Sequence, residues 1–95
     1  MEENNEIRYR LRDDAARREV DGEFFIVTAD RAMHRIAARS GVSVLRLLAE
    51  RPHSVAELTD ALAPRFDAEV ATIRHDVETF VATLAARGIA HEVAS

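Results

Sequence analysis

The side chains able to do chemistry in this 95-residue chain are its four histidines, its few serines and its seventeen carboxylates. Their spacing decides what chemistry is open to them. His34, His53, His75 and His91 are scattered along the chain and show no H-x-x-x-H or comparable ligand spacing. With no cysteine present, a thiolate metal site and a disulfide scaffold are both excluded. His75 and Asp76 are neighbours, but adjacent residues on a helix point about 100° apart, so one cannot orient the other as a catalytic pair. There is no G-x-S-x-G elbow, and three glycines cannot build a phosphate-cradling loop. The carboxylate pairs Glu2-Glu3 and Asp13-Asp14 fall in polar terminal stretches, where such runs are usually a solvated face. These patterns predict a protein that is not an enzyme and that carries no metal and no cofactor.

The elements that hold these residues follow from composition and period. The chain is 47% apolar and 32% charged, a balance suited to one water-soluble domain over residues 1–95, with residues 1–14 expected to be partly flexible. No apolar run approaches the roughly 18 residues of a membrane span, and "MEENNEIRYR" lacks the apolar stretch of a secretory signal, so a cytoplasmic location and no membrane partner are expected. A net charge of −4 opposes the counterion release that drives most nucleic-acid binding, which predicts no nucleic-acid partner.

Asp21-Gly22 is a two-residue hairpin signal, because a type I′ turn needs positive φ at both central positions. It should join a strand at about 17–20 to one at 23–29. Asp30-Arg31 is a weaker two-residue turn, after which 32–38 returns as a third strand. With those turns Phe25, Val27, Ala29, Ala32 and Ile36 share one face, and Phe24, Ile26 and Met33 the other. A central strand that is apolar on both faces needs cover on both. The alternation of Ile7, Tyr9 and Leu11 predicts that 7–11 folds back as that cover.

From Ser40 the period becomes helical. Ser40 is expected to cap a first helix burying Val44, Leu45, Leu47 and Leu48 and ending before Pro52. Ser54-Val55-Ala56-Glu57 is a capping box that opens a second helix burying Val55, Leu58 and Leu62. Asp67 should cap a third, longer helix with Val70, Ile73, Val77, Phe80, Val81 and Leu84 on one stripe and Gly88 as its left-handed C-cap. Residues 89–93 read as a short extended tail. The fold class is therefore α+β, winged helix-turn-helix-like: a three-stranded antiparallel sheet followed by three helices.

Three segments in this order carry a resemblance. Val44-Leu45-Arg46-Leu47-Leu48, then Ser54-Val55-Ala56-Glu57-Leu58, then Asp76-Val77-Glu78-Thr79-Phe80-Val81 with Leu84 and Gly88-Ile89, resemble the family of the pyrroloquinoline quinone biosynthesis protein D (PqqD), the recognition element of ribosomally made, post-translationally modified peptides. The resemblance spans about residues 17–93. The chain departs from the family's pattern at the end of the third strand, around Ile36-Ala37-Ala38, and at Ala49-Glu50, where the family has Asp-Gly. Those departures suggest a divergent member, and pyrroloquinoline quinone itself is not an expected product or cofactor.

The resemblance implies a non-catalytic protein that binds the leader segment of a precursor peptide and presents it to a separate maturation enzyme, for which radical S-adenosylmethionine chemistry is one candidate. The leader adds as a strand beside the third strand, in a groove closed by the third helix. The residues then expected at the peptide are Met33, His34, Arg35 and Ile36 on the strand and Val70, Arg74, Val77, Glu78 and Val81 on the helix. On this reading Val77→Asp should weaken leader binding more than it unfolds the protein. Two other classes fit the same elements: a winged-helix nucleic-acid regulator, and a structural adaptor that self-associates through its sheet edge, so both monomer and dimer are open. The third helix offers Arg74 and Arg87 against Asp67, Glu69, Asp76 and Glu78, a balance that disfavours the first.

Overall fold

Asp21 and Gly22 take φ of 52° and 77°, the left-handed values a type I′ turn requires, and join strand β2 (Ala16–Val20) to β3 (Glu23–Val27). The computed structural model describes residues 7–93. The expectation of flexibility over 1–14 therefore lies partly outside the described residues. Within that stretch Arg8–Leu11 form strand β1.

The hairpin continues into β4 (Met33–Ile36), giving an antiparallel sheet in the order β2-β3-β4. Its second turn differs from the expected one. The Arg31 N–H donates to the Thr28 carbonyl (2.8 Å) and the Thr28 N–H to the Ala32 carbonyl (3.0 Å), with Arg31 at φ 70°. This is a three-residue loop closed by a bulge residue in the left-handed region. The extra residue shifts the register by one, so Phe24 pairs with Ile36, Ile26 with His34, and Val27 with Met33. Since side chains alternate, the shift exchanges the two faces of β4. Ile36 and His34 join Phe24 and Ile26 on the inner face, while Met33 stands on the outer face with Phe25 and Val27, opposite to the faces assigned from the sequence.

Residues 7–11 do not cover that outer face. Strand β1 lies instead in a second antiparallel sheet, between β5 (His53–Ser54) and β6 (Ala90–Val93). The expected C-terminal tail is thus a paired strand, matched to β1 from Arg8↔Val93 to Leu11↔Ala90.

The three helices are α1 (Arg39–Glu50), α2 (Val55–Leu62) and α3 (Val70–Ala86). Ser54 caps α2 as the spacing predicts: its hydroxyl accepts from the Glu57 N–H (3.1 Å) and its own N–H donates to the Glu57 carboxylate (2.9 Å). The other two caps differ. Helix α1 begins two residues earlier than expected, with Ala38 rather than Ser40 at its N-cap and no side-chain cap, and α3 begins after Glu69 rather than after Asp67. A short 3-10 turn at Ala63–Arg65, containing Pro64, displaces the start of α3. At its far end Gly88 (φ 77°) donates to Ala85 and Ile89 donates to Leu84. That double bond, with Leu84 and Ile89 both buried, is a Schellman cap, and it turns the chain into β6.

The core is built from Phe24 and Ile26 of β3, Val44, Leu45 and Leu48 of α1, Leu58 and Leu62 of α2, and Ile73, Val77, Val81 and Leu84 of α3. Helix α1 lies against β1 and β3, and α2 packs on α3. Burying aliphatic side chains of this size contributes about 1.5–3 kcal/mol each. The result leaves β4 at one sheet edge, leading directly into α1.

Candidate functional site

Strand β4 has only one neighbour, β3, among the described residues. Its free edge can be read from the loop hydrogen bond. Thr28 and Ala32 form a bonded pair, and bonded and non-bonded pairs alternate along an antiparallel ladder. Hence His34 and Ile36 direct their backbone groups at β3, whereas the N–H and C=O groups of Met33 and Arg35 face outward. The loop behind this edge is pinned. The Thr28 hydroxyl bonds Asp30 and lies 3.2 Å from His34 Nε2, and Asp30 also accepts from the Ala32 N–H (3.1 Å). These bonds, the Thr28 hydroxyl first, hold the Asp30 carboxyl below its ordinary range.

Two residues beyond β4 the edge meets a cleft of about 500 Å³, walled by Ala38, Gly41, Phe66, Ile73, Val77 and Phe80. Gly41 permits the wall to close: a Cβ there would lie 3.0 Å from Ile36 Cγ2 and 3.1 Å from Phe80 Cζ. The end of β4, the start of α1 and the middle of α3 are therefore in contact at this point. Arg39 and Asp76 also line the cleft, and the Arg39 guanidinium lies 5.5 Å from the centre of the Phe66 ring.

The residues singled out from the sequence divide clearly. Met33 is 71% exposed on the outer face. Arg35 is exposed and tied to Glu23 by bonds of 2.7 and 3.0 Å, which draws the Glu23 carboxyl below its usual value. His34 and Ile36 are half-buried on the inner face. On α3 only Val77 of the five lines the cleft. It is also 3% exposed, and Val81 is 1%, so both are core residues. Val70 is 58% exposed at the first residue of α3, and Arg74 and Glu78 are exposed and 3.9 Å apart. A carboxylate at Val77 would be buried without a partner, so Val77→Asp is a folding mutation here and not a selective probe.

Apart from Val77, sequence reasoning did not assign the cleft's wall to the site. Phe66 and Phe80, the two phenylalanines of the helical half, and Gly41 in the first turn of a helix were its available signals. A glycine there weakens a helix unless something approaches closely.

Among the described residues no group of three or more histidine, aspartate and glutamate side chains is placed to hold a metal ion, and no helix is long and apolar enough to cross a membrane. What the arrangement offers chemically is an open strand edge beside an apolar cleft.

A family profile described as coenzyme PQQ synthesis protein D (PqqD) matches residues 37–90. Among solved structures, the chain is similar to TbiB1 in complex with the TbiA(beta) leader peptide, with a TM-score of 0.81 and 18% identity over 90% of this chain and 99% of that one. It is also similar to a lasso peptide synthetase B1 complexed with the leader peptide, with a TM-score of 0.72 and 21% identity over 87% of this chain and 96% of that one. No curated protein matches the chain significantly. At these identities the structural likeness establishes the shared fold.

Proposed function

The chain belongs to the family of coenzyme PQQ synthesis protein D, and from that premise we propose that it binds the leader segment of a ribosomally made precursor peptide as an added strand on β4. It then presents the rest of the peptide to a separate maturation enzyme. The role is non-catalytic: the chemistry, radical S-adenosylmethionine or another kind, belongs to that enzyme. The observation that carries the proposal is the free edge of β4 running into the apolar cleft. That two proteins of the same fold each hold a leader peptide supports it.

The outward N–H and C=O groups of Met33 and Arg35 supply the backbone pairing, and alternate peptide side chains turn inward toward α3 or outward beside Met33. Net gain per backbone bond is modest, about 1 kcal/mol, because water is displaced from both partners. Affinity must therefore come largely from apolar side chains leaving water at the cleft. The opposite edge, β2, is also unpaired among the described residues, but all five of its residues are exposed. Its Arg17 and Glu19 guard the edge with charge, and Glu19 is engaged by Arg46 of α1.

Calorimetric titration with the synthetic N-terminal half of a precursor peptide tests the proposal. Saturable one-to-one binding is expected for the wild type. Met33→Pro deletes an outward N–H but no bond to β3, so it should weaken binding at least about tenfold while keeping the denaturation midpoint close to wild type. Equal binding by Met33→Pro would remove β4 as the docking edge.

A further inference from the structure

Resting on the leader-binding reading, we infer that His34 is a specificity determinant of the docking strand: the leader residue opposite it carries a hydrogen-bond donor and not a carboxylate. The position follows from the register of β4. Met33 and Arg35 direct their backbone groups outward, so with an antiparallel added strand they make the bonded pairs, and His34 falls between them at a non-bonded one. Side chains at such a pair are the closest on the ladder, with Cα atoms about 4.5 Å apart. His34 stands on the inner face and is half-buried. The leader side chain opposite it therefore lies against the imidazole on the core side of the sheet.

The chemistry follows from one hydrogen. Thr28 is 4% exposed, and its hydroxyl has a single hydrogen to give. Three groups lie within reach: the Asp30 carboxylate at 2.5 Å, His34 Nε2 at 3.2 Å and the Ala32 carbonyl at 3.3 Å. The carboxylate is the nearest and the only anion, kept ionised by this bond and by the Ala32 N–H (3.1 Å), so the hydrogen goes to Asp30. The Thr28 oxygen then faces Nε2 as an acceptor, and Nε2 must carry the hydrogen of the ring. A neutral His34 is left with a bare lone pair on Nδ1, to which no group among the described residues donates. Covering that nitrogen with an added strand weakens binding unless the peptide supplies a donor, as Ser, Thr, Asn, Gln, Lys and Arg can. A carboxylate brings only acceptors, whose lone pairs oppose that of Nδ1.

The two halves are tested separately at about pH 8, where imidazole is neutral. Two-bond proton–nitrogen correlations of the free wild-type protein should place hydrogen on His34 Nε2 and none on Nδ1. Hydrogen on Nδ1 would overturn the donor requirement and leave leader binding standing. A phage-displayed random dodecapeptide library is then selected on the intact wild type and on His34→Phe, and the peptides kept are those whose binding Met33→Pro weakens. Wild type should enrich a donor side chain at one shared position, and His34→Phe should not. In a synthetic peptide from that set, replacing the donor side chain by alanine should weaken binding to wild type about threefold to tenfold. Replacing it by aspartate or glutamate should weaken binding further. No shared donor position, a carboxylate at that position, or the same preference on His34→Phe would overturn the requirement and leave strand addition standing. Failure to enrich any peptide sensitive to Met33→Pro would overturn strand addition and the requirement together.

Discussion

Glu57 has two duties that can be separated by pH. Its carboxylate closes the capping box on the Ser54 N–H and receives two bonds of 3.2 Å from Arg8. The Arg8 bonds, then the Ser54 N–H, lower its pKa from 4.5 to about 2. A carboxyl depressed on folding stabilises the native state fully above its unfolded pKa, and that contribution fades as pH falls through the folded value. Glu57→Gln keeps a capping side chain but no charge. The wild type should therefore exceed Glu57→Gln by about 1 kcal/mol at neutral pH, a small figure because the pair is about a third exposed and screened. The difference should vanish between pH 5 and 2, read from urea midpoints across pH. A second prediction concerns α3. Val70→Asp, at an exposed site, should change stability by less than about 0.5 kcal/mol, whereas Val77→Asp should leave no cooperative thermal transition near room temperature. A folded Val77→Asp protein would mean that Val77 is not core. The Ser54–Glu57 box was legible because both partners lie within four residues. The start of α3 was not, because Asp67 is the favoured capping residue type, yet the helix begins after Glu69 with no side-chain cap.

Strand β4 shows how one residue in a loop changes what an element presents. The strand's existence was legible from alternation, but its faces were not, since Asp30-Arg31 reads as a two-residue turn while the chain closes a three-residue one on Arg31. Nothing local in the sequence reports that Arg31 adopts φ 70°, a value that costs a side chain with a Cβ about 1 kcal/mol. Arg31→Gly should accordingly raise stability by up to about 1 kcal/mol and leave the β4 register unchanged, as seen in denaturant midpoints and in the backbone amide spectrum. A loss of stability would contradict the bulged loop. The same register accounts for the exposed Met33 and for the edge groups it places outward.

At the scale of the molecule, the order of sheet and helices was legible because hydrophobic period switches once, near Ser40, and family likeness over residues 37–90 falls on the helical half. The second sheet was harder to foresee. It joins β1, β5 and β6 from three distant stretches, and β5 is only two residues long, too short for any periodic signal. The cleft was hidden for a related reason: its walls come from the end of β4, the first turn of α1, the loop at Phe66 and the middle of α3, which no single window of sequence contains. The exposed side of α3 is more acidic than basic and the whole chain carries −4, a balance that disfavours a nucleic-acid role. The proposed peptide role uses what the assembly leaves open, a strand edge with no second neighbour among the described residues.

Amide hydrogen exchange, followed residue by residue with and without a bound leader peptide, tests strand addition most directly. The account predicts that the Met33 and Arg35 amides exchange freely in the protein alone and gain protection of at least about tenfold in the complex, with the β2 amides unchanged. Protection appearing along β2, or binding with no protection at Met33 and Arg35, would contradict it.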